Sequence, residues 1–173
     1  QGKLSGEIIR RLRDFLRTGK TLRTRSDINH IVREAADLAG LEVRRKEITL
    51  RLELSNDLPP VLADTIQIEQ VLINLVHNAI EVIDAAQWPR REVAIWTSRS
   101  PDNGVEVSVQ DTGPGLQDEK GETIFEAFFT TKPGGMGMGL CISRSIIETH
   151  GDQLQAMPNP DGGAIFRFAL PAV

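Results

Sequence analysis

The stretch Asp64–Ala85, DTIQIEQVLINLVHNAIEVIDA, decides how the rest of the chain must fold. At about 100° per residue, Gln67, Gln70, Asn74, His77, Asn78 and Glu81 fall on one narrow stripe of a helix. Ile68, Leu72, Leu75, Val76, Ala79, Ile80 and Ile83 cover the opposite side and the flanks. Such a helix is core over most of its circumference, yet it carries two asparagines one turn apart. A buried amide without partners costs about 1–3 kcal/mol, so something must satisfy that stripe. An uncharged amide oxygen suits a magnesium ion whose charge is met mainly by phosphate. A half-exposed helix with a solvated polar face explains the same pattern, and the helix alone does not separate the two.

Composition narrows the setting. With 173 residues and 40% apolar side chains, the chain can build one domain with a real core. No apolar run approaches the ~20 residues that cross a bilayer, and no signal peptide opens the chain. A cytoplasmic chain without membrane contact is expected. The single cysteine, Cys141, excludes an internal disulfide and, inside LCISRSII, reads as a buried structural thiol. The net charge of −4 conceals an asymmetry. Residues 1–25 hold eight Lys/Arg against Glu7 and Asp14, while residues 26–173 hold twelve Lys/Arg against twenty-two Asp/Glu. This divides the chain into a basic arm with its linker, 1–25, and an acidic globule, 26–173. The arm lacks aromatic interleaving, so nucleic acid is not expected as a partner.

On the N-terminal side, residues 1–18 read as an amphipathic helix with Leu4, Ile8, Leu12 and Phe15 in line, ended by Gly19. Asp27–Ala39 reads as a second helix, capped by Ser26 or Asp27 and stopped by Gly40, with His30 an ordinary surface residue without an acid at ligand spacing. Ile48, Leu50, Leu52 and Leu54 alternate with polar residues as a strand with one buried face, and Val61-Leu62 suits a short edge strand. On the C-terminal side, residues 92–98 and 104–111 form a hairpin through Pro101-Asp102-Asn103-Gly104. Val105, Val107 and Val109 share one face, and the alternation aims Asp111 at the same apolar side. A carboxylate there needs a donor. Alternatively, a turn starts at Asp111 and the acid caps Thr112-Gly113. Residues 112–138 are Gly-rich and irregular, the pattern of a functional lid. A helix from about Met138 to His150 follows, with Gly151 as its C′ residue and His150 at the negative end of its dipole. Residues 153–157 and 164–170 supply two last strands, joined through Asn159-Pro160-Asp161-Gly162-Gly163. Gly135, Gly137 and Gly139 open the 138–150 helix, offering free N–H groups to phosphate. A Rossmann site is excluded, because its glycines would follow the first strand of a βαβ unit.

In order, Asn74-Leu-Val-His-Asn78-Ala-Ile-Glu81, Asp111-Thr-Gly-Pro-Gly115, Phe125-Glu-Ala-Phe-Phe-Thr-Thr-Lys132 and Gly135-Met-Gly-Met-Gly139-Leu140 resemble four boxes of sensor histidine kinases. These are the asparagine, first glycine, phenylalanine and second glycine boxes of the Bergerat-fold ATPases, a group that includes gyrase B, Hsp90 and MutL. IIRRLRDF, FFTTK and SRSIIETHG resemble the subgroup of the oxygen sensor FixL and the nitrogen-regulatory kinases. The resemblance implies an α/β (α+β) two-layer sandwich, a mixed sheet packed on three helices, with an N-terminal helical arm. It implies ATP and Mg²⁺ as ligands, with Asn78 on the metal and Asn74 near metal and phosphates. Asp111 would accept from the adenine amine, and Gly113 and Gly115 would shape the loop around the base. Gly135, Gly137, Gly139 and Leu140 would lie along the phosphates. Phe125 and Phe128 would anchor the lid, with Thr131 and Lys132 in reach of phosphate. Many relatives carry Lys where this chain has Glu81, which leaves the positive charge to Lys132 or Arg144.

None of His30, His77 and His150 has the acidic neighbour that marks the family's phosphoacceptor histidine. Residues 1–25 resemble the second helix of the dimerisation bundle, with the first helix missing. The expected function is therefore the ATP-binding catalytic domain of a two-component histidine kinase, a protein-histidine kinase incomplete in this chain. It would donate the γ-phosphate to a histidine on a helix absent here. Its partners would be that helix, within a homodimer, and a response regulator. The alternatives are a non-catalytic ATP-sensing module of the same fold and, third, an ATP-driven clamp.

Overall fold

The computed structural model describes residues 22–115 and 139–173. The arm expected over residues 1–18 lies outside them. So does the lid, with Phe125, Phe128, Thr131, Lys132, Gly135 and Gly137.

The core is set by where apolar periodicity persists. Helix α1 (Ile28–Arg45) starts at Asp27, whose carboxylate accepts from the N–H groups of Asn29 and His30, so Asp27 is the cap and Ser26 is not. The helix runs through Gly40 instead of stopping there. Buried positions recur at Ile28, Ile31, Val32, Ala35, Ala39 and Val43, and burying Val43 offsets the ~1 kcal/mol helix penalty of one glycine. Helix α2 (Thr65–Ala85) matches the expectation for 64–85, with Asp64 as its cap. Its eight buried residues, Ile68, Val71, Leu72, Leu75, Val76, Ala79, Ile80 and Ile83, form the centre of the core. Helix α3 (Gly139–Thr149) buries Ile142, Ile146 and Ile147. Among the described residues no helix is long and apolar enough to cross a membrane.

Seven strands complete the described residues: β1 (Thr24–Ser26), β2 (Thr49–Leu54), β3 (Val61–Ala63), β4 (Glu92–Arg99), β5 (Val105–Asp111), β6 (Gln155–Pro158) and β7 (Ala164–Leu170). Five of them make one sheet in the order β2-β4-β5-β7-β6. The β2/β4 pair is parallel and the other pairs are antiparallel, so the sheet is mixed. Val93 and Ile95, Val105, Val107 and Val109, and Ala164, Phe166, Phe168 and Leu170 are buried with the helices in one continuous core. The opposite face carries half-exposed Trp96 and polar Gln110. One layer of helices on one sheet is the expected two-layer sandwich.

At the margins the structure differs from expectation. Only Leu50 and Leu54 of β2 are half-buried while Leu52 is 37% exposed, because β2 is the edge strand. Val61–Ala63 forms the expected short strand, and its partner is Thr24–Ser26, in a separate ribbon that spans the 25/26 division of the sequence. Pairing across 37 residues leaves no local signal. Cys141 is half-buried, not sealed in the core. His30 does have an acid one turn on, Glu34 at 3.8 Å, on an exposed face.

His150, 2% exposed, holds three elements together. Its Nδ1 donates to the Ile146 carbonyl at 2.8 Å, and Nε2 accepts the Asp64 N–H at 3.1 Å. Asp64 in turn accepts from Leu22 N–H at 3.0 Å, where the chain enters the described fold. The ring is therefore neutral, and burial pushes its pKa below the ordinary value. The expected favourable charge at the helix end gives way to a neutral hydrogen-bond link.

The β4–β5 turn brings Gly104 against the last strand so closely that a Cβ there would overlap the Leu170 carbonyl oxygen. Backbone cannot give way as a side chain tip can. Gly104→Ala is expected to cost ~1–3 kcal/mol and lower the melting midpoint by about 3–10 °C, read by thermal denaturation followed by circular dichroism.

Candidate nucleotide site

The site grows from the C-terminal end of β5. Pairing of Val93 with Asp111 keeps the strand regular to its last residue, so the alternation carries the Asp111 side chain to the helix side. Asp111 is 4% exposed. Its Oδ1 accepts from Gly113 N–H at 2.9 Å and from Ala164 N–H at 3.3 Å. Both readings of this residue hold together, because it caps the turn and it is buried. Burial raises its pKa, and the two backbone N–H groups oppose that shift. Both bonds fall on Oδ1; among the described residues nothing donates to Oδ2. No fully buried side-chain oxygen or nitrogen among the described residues lacks a partner, so Oδ2 opens on accessible space.

Glycines build the walls around this acid. A Cβ on Gly113 would stand 3.2 Å from Asp111 Oδ1, 3.3 Å from Ile83 and 3.4 Å from Val82, wedged between the acid and the last turns of α2. Gly115 has φ +91° and packs on the Gly163 carbonyl. Gly163, with φ +94°, lies directly against the Asp111 carbonyl and carboxylate, where a Cβ would overlap the backbone oxygen. Sequence reasoning passed over Gly163 as a turn residue. The available signal was a second glycine placed immediately before the first buried residue of a strand.

Across the helix layer, α2 packs on α1 to one side and α3 to the other. The polar stripe of α2 is accordingly not one surface. Asn74 turns to α3, donating from Nδ2 to Ser143 Oγ at 3.3 Å and to the Gly139 carbonyl at 3.4 Å. Ser143, fully buried among isoleucines, is a contact the sequence reading missed; a hydroxyl on the apolar side of LCISRSII was its only sign. Asn78, one turn on, is half-buried and makes no hydrogen bond among the described residues. His77 turns the other way, with Nδ1 3.0 Å from Glu42 of α1 and Nε2 3.1 Å from Glu81. Gly139 and half-buried Leu140 form the first turn of α3, and a Cβ on Gly139 would stand 3.8 Å from the Asn74 side chain. Arg144 faces outward and pairs with Glu148 at 3.0 Å.

The donor set fits magnesium only in one manner. Among the described residues no group of three His, Cys, Asp or Glu side chains could cage a metal. A neutral amide such as Asn78 therefore suits a cation that brings its remaining oxygens with it, from phosphate and water.

The pattern defining the histidine kinase-, DNA gyrase B- and HSP90-like ATPases matches residues 63–173, and the chain belongs to this ATPase family. Within it, the chain belongs with the catalytic domains of histidine kinases. It is 36% identical to the nucleotide-free catalytic domain of histidine kinase ThkA, covering 87% of this chain and 95% of that one with a TM-score of 0.74. ThkA has also been solved in complex with the response regulator protein TrrA. Full-length ShkA in complex with AMPPNP superposes with a TM-score of 0.82 at 28% identity, covering 96% of this chain and 35% of that one. The sensor protein FixL of Bradyrhizobium diazoefficiens is 45% identical over 172 residues, 99% of this chain and 34% of FixL. The chain thus spans about a third of the length of that relative.

His77 makes stability depend on pH. Its hydrogen bonds to Glu42 and then Glu81 raise its pKa from 6.5 to about 9 against the cost of burial. A pKa raised on folding gives a contribution present in full below about 6.5 and lost as pH rises through about 9. The melting midpoint of the wild type is expected to fall between pH 7 and 9.5 by more than that of His77→Gln. Parallel curves would refute the linkage.

Proposed function

We propose that the chain binds Mg²⁺-ATP between α2 and the segment that follows Gly115, and that in the longer protein it transfers the γ-phosphate to a histidine on a separate helix. The observation that carries this reading is the buried Asp111 carboxylate, held on Oδ1 by two backbone N–H groups and open on Oδ2. An acceptor-only group in a glycine-walled recess selects a ligand that presents an N–H donor on a flat ring, as the amino group of adenine does. Gly113, Gly115 and Gly163 leave room for the plane of the base. Asn78 supplies the amide oxygen for magnesium, and Asn74, tied to the start of α3, holds the phosphate end of the recess to α2. Gly135, Gly137 and Gly139 give backbone N–H groups for the phosphates. Leu140 backs them, and Thr131 and Lys132 reach the same groups. Phe125 and Phe128 fasten the covering segment.

When bound, magnesium screens the phosphate charge. This domain contributes position and electrostatics and no covalent nucleophile. The AMPPNP complex of ShkA and the response-regulator complex of ThkA support ATP as donor and a response regulator as final acceptor. A homodimer built through the N-terminal arm and its partner helix, on the cytoplasmic side where ATP is available, completes the proposal.

Mg²⁺-ATP is expected to raise the melting midpoint, and Asn78→Ala or Asp111→Asn to remove most of that rise. A separate polypeptide carrying a family phosphoacceptor helix should acquire acid-labile phosphate from γ-labelled ATP in the presence of this chain. Tight binding without labelling would instead favour the sensing module. Hydrolysis that requires dimer closure would favour the clamp.

A further inference from the structure

Glu81 sits three residues beyond Asn78, so the two side chains are neighbours on the surface of α2. With ATP bound as proposed above, this places a carboxylate beside the most anionic part of the ligand, where it would repel it. The structure holds that carboxylate in a particular way. Glu81 Oε1 lies 3.1 Å from His77 Nε2, and the other ring nitrogen lies 3.0 Å from Glu42 Oε2 on α1. The imidazole thus bridges two carboxylates, one from each helix. Glu42, from a different helix, fixes the ring plane and leaves Nε2 aimed at Glu81. Around α2, His77 lies on the side away from Asn78 as seen from Glu81, so the pair draws the acid toward α1.

We infer that His77 is a specificity-determining residue for the nucleotide: held by Glu42, it pins Glu81 on the α1 side of the helix so that the phosphates bind beside Asn78 without the carboxylate swinging toward them. Glu42 is a positioning residue that acts through the ring. The inference rests on the nucleotide reading of the site. A purely structural clamp between α1 and α2 would affect folding but would not sort ligands by charge.

The test measures, by calorimetry at pH 7.5 with Mg²⁺, the binding of ATP, ADP and adenosine to the wild type, His77→Gln, Glu42→Gln, Glu81→Gln and the His77→Gln/Glu81→Gln pair. His77→Gln is expected to weaken ATP by about fivefold, ADP less and adenosine not at all, with the loss shrinking in high salt. Glu42→Gln should give a smaller loss in the same order. Glu81→Gln should restore ATP binding in the His77→Gln background, since removing the acid removes what the ring must hold away from the phosphates. Equal losses for all three ligands, no loss, or no rescue overturns the inference while leaving nucleotide binding intact. Absence of ATP binding to the wild type overturns both. Should His77→Gln fail to fold, Glu81→Lys carries the test, with tighter ATP relative to ADP expected and an unchanged ratio refuting it.

Discussion

Helix α2 is the part on which the other elements depend, because it packs against both neighbouring helices and the sheet. Its eight buried aliphatic residues fix its rotation about its own axis, since turning it would expose them at about 1.5–3 kcal/mol for each large side chain. Once the rotation is fixed, the polar residues have no choice of direction. Asn74 must meet α3 and His77 must meet α1, with Asn78 on the side of the stripe away from His77. The site inherits its geometry from the core, and the functional side chains do not have to hold the helix in place.

Asp111 is the complementary case, a place where burial works against stability. A carboxylate taken out of water raises its own pKa, and the two N–H groups that it accepts recover only part of the lost hydration. The surrounding glycines serve the same end. Gly113 brings its N–H close enough to donate, and Gly163 packs on the Asp111 backbone so closely that a Cβ there is excluded. Its second oxygen accepts from nothing among the described residues. His77, by contrast, gains stability from its neighbours, so the two titrating groups of the site respond to pH for opposite reasons.

Much of this was legible in the residues. The helical stripe of 64–85, the β4–β5 hairpin through Pro101–Gly104, and the inward direction of Asp111 all follow from local periodicity, and all were recovered in the fold. The family was readable from the order of the four boxes, and the family pattern over residues 63–173 agrees. The failures share a cause. Gly40 looks like a stop when only its neighbours are considered, and the helix continues because Val43 finds a core supplied by distant residues. The ribbon of Thr24–Ser26 with Val61–Ala63 has no local sign at all.

Periodicity and turn chemistry, which act over a few residues, were sufficient for the sequence alone to determine the class of fold, the core face of the long helices and the inward direction of Asp111. Partnership between elements was decided only in three dimensions. The division of one polar stripe between two helices, the seat of Ser143 under Asn74, the packing of Gly163 on Asp111 and the neutral link of His150 to Asp64 join residues 35 to 86 positions apart. Hydrogen bonds and steric limits at that separation depend on where whole helices settle. That is set by the packing of the entire core, and no short window of sequence contains it.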